Sequence, residues 1–120
     1  MKAAKDTGLD PILLAVLIFL ESGGDSEAIS SAGAVGLMQI MPRDGIASSF
    51  MCINGPCFAN RPTTEELRDP AYNIKYGSKL LAGLVNEYGL REALFRYGPS
   101  GVGYEGYADK IIDLAKRIRK

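Results

Sequence analysis

The strongest constraint on how this chain folds is a run of nine consecutive apolar residues, Ile12 to Leu20. It is framed by Asp10-Pro11 on one side and Glu21-Ser22-Gly23-Gly24 on the other. An aspartate accepts hydrogen bonds from the free N–H groups of a first helical turn, and proline suits the first helical position. Glycine just past a helix end supplies the left-handed cap. The pattern predicts a helix from Pro11 to about Ser22 that is apolar on every side, and hence a central helix with others packed around it. Nine residues fall far short of the roughly 20 needed to span a bilayer. Lys2 and Lys5 ahead of the run give it some likeness to a leader peptide. Asp6 and Asp10 offset that charge and Glu21 follows directly, so the segment reads as part of the mature domain with no signal peptide.

The remaining punctuation is also helical. Residues 2–9 suit a short first helical turn, and residues 25–36, rich in Ser, Ala and Gly, read as loop. Leu37 to Met41 forms a short apolar helix or turn ended by Pro42, and residues 43–62 are the least regular stretch. Thr63-Thr64-Glu65-Glu66 has capping-box spacing for a short helix. Asp69-Pro70 repeats the cap-plus-proline signal and opens a longer helix to about Tyr88, with Ile74, Gly77, Leu81, Leu84 and Tyr88 on one stripe. Arg91 to Tyr97 suits a short helix, Gly98 to Gly103 a glycine-rich loop, and Tyr104 to Arg119 a last helix. No segment alternates apolar and polar for long, so the expected fold is all-α, and 120 residues suit a single domain over 1–120.

Composition narrows the chemistry. The chain has no His, which removes Ser-His-Asp and Cys-His nucleophiles and imidazole metal ligands. Its two Cys do not complete a tetrahedral metal site, so no metal or cofactor is expected. Lys+Arg and Asp+Glu balance at 14 each, which gives no electrostatic case for nucleic acid. Proton transfer must then fall to a side chain retuned by its surroundings. Glu21 is the carboxylate that breaks local rules. It ends an all-apolar helix, where the dipole disfavours negative charge and burial raises the carboxyl pKa. Those are the properties of a general acid.

The neighbours of Glu21 form a pattern: Glu21-Ser22-Gly23-Gly24, Ser30 nine residues on, then Gly33-Ala34-Val35-Gly36-Leu37-Met38-Gln39-Ile40-Met41-Pro42. Asp69-Pro70, Asn73-Ile74, Gly77, Tyr88-Gly89 and Tyr107 follow at matching intervals. This series resembles the signature of soluble lytic transglycosylases, relatives of goose-type lysozyme, from Leu9 to about Ile118. The resemblance implies a compact, lysozyme-like helical domain that cleaves the β-1,4 bond between N-acetylmuramic acid and N-acetylglucosamine in peptidoglycan glycan strands. By position it makes Glu21 the single acid and base. Ser30 would hydrogen-bond near Glu21 or contact a sugar N-acetyl group. Gln39 and Met41 would line the groove, and Tyr97 and Tyr107 would pack around or bond to the Glu21 carboxyl. Ser22 is assigned a supporting place and Asn73 organises a helix start. The implied setting is outside the cytoplasm, as a monomer or a module of a larger protein, with no integral membrane segment. Goose-type hydrolysis, or glycan or partner binding without turnover, are the alternatives.

The match departs from the family pattern in places. An expected Ala-Tyr-Asn-x-Gly is replaced by Ala93-Leu94-Phe95-Arg96-Tyr97-Gly98, which keeps the tyrosine and loses the asparagine. Leu80 stands where a tyrosine is expected. The stretch holding Cys52 and Cys57 lies outside the family core. It is either a lid at one end of the groove or a long surface loop, and its cysteines are either bonded or free. Asp25 and Asp44, as loop residues, read as solvated turn formers rather than second carboxylates.

Overall fold

A computed structural model describes residues 2–97 and 105–119. Among the described residues six α-helices carry the architecture: α1 (Lys2–Thr7), α2 (Pro11–Ser22), α3 (Thr64–Leu67), α4 (Pro70–Tyr88), α5 (Leu90–Tyr97) and α6 (Glu105–Arg119). Local chemistry sets their ends. The Asp10 carboxylate accepts from the Ile12 N–H at 3.0 Å, and Gly23 closes α2 in the left-handed region at φ 65°. Thr63 and Glu66 form a reciprocal capping box on α3, and Asp69 caps α4 through the Ala71 and Tyr72 N–H groups. The expected loop from Gly98 to Gly103 lies outside the described residues.

α4 packs along α5, α2 against α6, and α6 against α5, with α1 lying on α4. Their shared core includes Leu13, Leu14, Leu17, Met38, Leu81, Leu94 and Ile111. α2 contributes four buried residues, Leu13, Leu14, Val16 and Leu17. Its cover is not complete. Pro11, Ala15 and Phe19 face outward, and Phe19 is 69% exposed beside Ile118 of α6. A helix apolar on all sides therefore buries one face and leaves an apolar strip on the other.

The stretch between α2 and α3 is more ordered than its composition suggests. Val35 bridges both Ile29 and Ile40, so residues 28–41 form a tight looped unit without a full strand. A short 3-10 helix, Gly45–Ser49, precedes an antiparallel hairpin of β1 (Met51–Cys52) and β2 (Gly55–Pro56). Cys52 and Cys57 are bonded across it. On the loop-entropy model so short a closure contributes about 2 kcal/mol. A second, smaller apolar cluster of Ala34, Met41 and Ala47, with Ala32 and Phe58 against it, ties this hairpin region to the looped unit.

Candidate active site

The looped unit is strapped to the helices at one buried amide. Asn73 in α4 is fully buried. Its Nδ2 donates to the Val35 and Leu67 carbonyls at 2.9 Å each, and its Oδ1 accepts from the Met38 N–H at 2.8 Å. Gly36 is needed beside it, since a Cβ there would lie 2.3 Å from Asn73 Nδ2 and φ is +79°. Gly77, one turn along α4, lets Met38 and Ile40 approach: an added Cβ would meet Met38 Sδ at 2.6 Å and Met38 Cβ at 3.0 Å.

Gln39 follows Met38 at the tip of this unit. It is the one non-glycine described residue with positive φ, at 51°. Such conformations cost on the order of 1–3 kcal/mol and persist where surrounding structure holds them. Here the side-chain amide does so, donating to the Ala28 carbonyl at 3.1 Å and the Gly36 carbonyl at 3.0 Å. With both amide hydrogens turned back onto the backbone, the Gln39 carbonyl oxygen is left as an acceptor.

Gln39, Ile40 and Met41 form one wall of a cleft of about 160 Å³, and Leu80, Leu84, Arg96 and Tyr97 from α4 and α5 form another. Phe58 and Arg61, from the segment after the disulfide, complete it. The Tyr97 hydroxyl donates to the Met38 carbonyl at 2.7 Å, which fixes the α5 wall to the looped unit. Burial pushes the Tyr97 phenol well above its ordinary range, the Glu21 charge pushes the same way, and Arg61 opposes them. Tyr97 is therefore the link between the cleft and Glu21, which does not itself line it.

Glu21 sits in the last turn of α2, partly buried. The Tyr107 hydroxyl donates to its Oε2. Desolvation raises the Glu21 pKa above the ordinary carboxylate value, and the Tyr107 hydrogen bond partly offsets this. Both follow from packing: Tyr107 is a buried residue of α6, the helix paired with α2.

The other singled-out residues lie around this centre. Ser30 Oγ accepts from the Ala34 N–H at 3.0 Å within its own turn, and Ser22 Oγ donates to the Ile18 carbonyl at 3.0 Å. Asp25 accepts from the Glu27 N–H at 2.9 Å. Asp44 accepts from both the N–H and the hydroxyl of Thr64, which lower its pKa. Among the described residues, no Asp or Glu lines the cleft. Among the described residues no group of three or more Cys, Asp or Glu is arranged to hold a metal ion. Leu80, the departure from the family's tyrosine, lines the cleft directly. Arg61 and Phe58 escape a reading by periodicity because they belong to an irregular loop. The available signal was the insertion itself, whose base forms a cleft wall while its tip, around Ile53, stands in solvent.

An all-α domain that carries a desolvated glutamate at the end of a core helix, beside a cleft with one strained glutamine, belongs to the lysozyme-like class. The fold of a solved structure agrees: an inactive Glu-to-Gln mutant of the lytic transglycosylase Slt from Pseudomonas aeruginosa matches with a TM-score of 0.70 at 22% identity, over 98% of this chain and 23% of that one. Residues 1–101 match the family model of the transglycosylase SLT domain, and the chain belongs to that family. Similar curated proteins include endo-type membrane-bound lytic murein transglycosylase A from Klebsiella pneumoniae and from Salmonella paratyphi B. Each is 35% identical over 85 residues, which is 71% of this chain. The match spans 40% of the length of those relatives.

Proposed function

We propose that this chain is a peptidoglycan lytic transglycosylase module, acting outside the cytoplasm on glycan strands, with Glu21 as its single acid and base. The observation that carries the reading is the Glu21 carboxyl itself, desolvated at the end of α2 and held by the Tyr107 hydroxyl. Family membership and the names of the relatives support the same reaction class.

The chemistry needs one proton-transfer group. Glycosidases that use two carboxylates assign one to the leaving oxygen and the other to water or to the anomeric carbon. Among the described residues, none that lines the cleft is an Asp or Glu that could act beside Glu21. Glu21, whose protonated form desolvation favours, donates its proton to the bridging oxygen as the C1–O bond breaks. The N-acetyl group of the muramic residue stabilises the developing cation. The muramic C6 hydroxyl then attacks C1, and its proton goes to the Glu21 carboxylate, closing a 1,6-anhydro ring and restoring the acid. Water-poor surroundings favour this intramolecular attack over hydrolysis. Gln39, Met41 and Tyr97 position the sugar, Ser30 contributes from the adjoining turn, and Ser22 and Asn73 support the backbone. The relative named as an inactive Glu-to-Gln mutant fits a mechanism that depends on one such residue.

The test is digestion of purified sacculi with mass analysis of the released muropeptides. Anhydro products, lighter than hydrolysed ones by one water, support the proposal, whereas reducing-end products indicate goose-type hydrolysis. Glu21→Gln is expected to cut release by roughly 10²–10⁴ with the fold intact, the usual contribution of a positioned proton donor. Equal release by the wild type and that variant would remove Glu21 from the reaction.

A further inference from the structure

The cleft wall contributed by the disulfide insertion carries a positive charge whose role the glycan chemistry leaves unassigned. Among the described residues two cations line the cleft, Arg61 and Arg96. Arg96 is committed elsewhere: its guanidinium pairs with Glu92 at 3.0 Å and lies 3.9 Å over the Tyr88 ring. Arg61 differs. Its Nη1 donates to the Met41 carbonyl at a long 3.3 Å, and its guanidinium lies 5.3 Å from the centre of the Phe58 ring. No ion pair engages it among the described residues. Its charge acts on the Tyr97 phenol across the cleft.

The backbone around Arg61 holds it in place. The Arg61 N–H donates to the Phe58 carbonyl at 3.0 Å, and Arg43 Nη1 donates to the Arg61 carbonyl at 3.3 Å. Neighbouring Pro62 is buried. A guanidinium stacked on an aromatic ring keeps its planar fork oriented and most of its N–H donors free, which suits bidentate capture of a carboxylate. Among the described residues, no carboxylate lines the cleft to satisfy it. The glycan backbone of N-acetylated sugars is neutral, so it offers a guanidinium hydrogen-bond acceptors but no opposite charge. The anions of peptidoglycan are carboxylates attached through the lactyl ether of muramic acid, either on stem peptides or, where the peptide is removed, on the lactyl group itself.

We propose that Arg61 is a specificity-determining residue that binds a carboxylate carried by the muramic side of the strand, so that this domain prefers anionic strands to neutral N-acetylglucosamine oligomers. The inference rests on the peptidoglycan reading above and names which part of that substrate the insertion recognises. Arg61 touches no bond that breaks or forms. It selects and aligns the strand, while Glu21 does the proton transfer.

Binding is measured by titration calorimetry with the full chain carrying Glu21→Gln, with Arg61 intact, as Arg61→Gln, or as Arg61→Lys. The ligands are soluble peptide-bearing strands, amidase-stripped strands that keep the lactyl carboxylate, both strand types with carboxyls converted to amides, and a neutral N-acetylglucosamine pentamer. A charge-assisted hydrogen bond contributes enough for roughly a tenfold loss or more in affinity when removed. The expected result is at least that loss for Arg61→Gln on peptide-bearing strands, a partial loss for Arg61→Lys, and little change on amidated strands or the pentamer. The same loss on stripped strands assigns the lactyl carboxylate; a loss confined to peptide-bearing strands assigns the stem. An equal loss on charged and neutral ligands, or no loss on any, overturns the proposal, as does absence of binding to every strand. Turnover of sacculi by the unsubstituted chain is scored separately, so failure of the enzymatic reading is visible apart from failure of the Arg61 assignment.

Discussion

Asn73 makes the clearest quantitative prediction, because a single side chain closes three backbone groups of an otherwise irregular segment. In Asn73→Ala the Met38 N–H and the Leu67 carbonyl lose the partner the side chain supplies. The Val35 carbonyl loses one partner and keeps the Ile40 N–H at 3.1 Å. An orphaned buried polar group costs about 1–3 kcal/mol, and the truncated side chain leaves an unfilled space besides. Two full losses and one partial loss give about 3–5 kcal/mol. That is a large fraction of the roughly 5–15 kcal/mol that holds an ordinary domain together. At about 4 °C per kcal/mol for a chain of this size, the melting midpoint falls by roughly 12–20 °C. Asn73→Asp is the sharper probe. It keeps the acceptor for Met38 but turns a carboxylate oxygen toward two carbonyls that need a donor, so it is expected to cost at least as much as alanine. Urea denaturation followed by circular dichroism, with calorimetric melting, measures both variants. If either loses less than about 1 kcal/mol, the looped unit is held by something other than this amide and the reasoning fails.

Three further outcomes follow from the same geometry. The Glu21 pKa is raised on folding, so the native state holds this proton more tightly than the unfolded chain, and stability falls as pH rises from the ordinary carboxylate value through the raised one. Glu21→Gln is therefore expected to be more stable than the wild type above that window, with the difference shrinking in acid; pH-dependent urea midpoints check it. Tyr107→Phe removes the hydrogen bond that lowers the Glu21 pKa. The alkaline limb of the pH–rate profile, where the acid loses its proton, should then move to higher pH; an unmoved or lowered limb rules out Tyr107 as its partner. In α4, Gly77→Ala drives a Cβ against Met38 and is expected to cost about 1–3 kcal/mol by overpacking. Gly83→Ala, with nothing within 4 Å, should gain up to about 1 kcal/mol from helix propensity. Melting curves of the pair separate close packing from backbone preference.

What could be read from residues alone was what local chemistry decides. Asp10-Pro11, the Thr63–Glu66 box and Asp69-Pro70 each start a helix where their caps require it, because an N-cap needs only its own first turn. The raised Glu21 pKa was also legible, since the end of an apolar helix is both dry and dipole-disfavoured. The partner of Tyr97 was not, because a hydroxyl reaching from position 97 to the carbonyl of 38 depends on how α5 meets a loop 59 residues earlier. The strain at Gln39 was hidden for a related reason. Its left-handed backbone is set by hydrogen bonds to Ala28 and Gly36, not by any preference of glutamine. The outward face of α2 shows the limit of periodicity: an all-apolar run says that burial is favourable everywhere, but not which side its neighbours cover.

The two halves of the candidate site hang from the core by separate struts. Glu21 takes its character from the α2–α6 interface, where burial and Tyr107 pull its pKa in opposite directions. Gln39 and Met41 take their positions from the looped unit, which Asn73 ties to α4 and Tyr97 ties to α5. Because the acid is tuned by one helix pair and the cleft wall is placed by another, damage to each leaves a different signature. Loosening the strap at Asn73 displaces the wall and lowers stability while Glu21 keeps its desolvated seat. Removing the Tyr107 hydroxyl retunes the acid and leaves the wall in place. Tyr97 is the point of contact between them, since its hydroxyl bonds Met38 while its phenol feels the Glu21 charge. A change there reaches both halves at once.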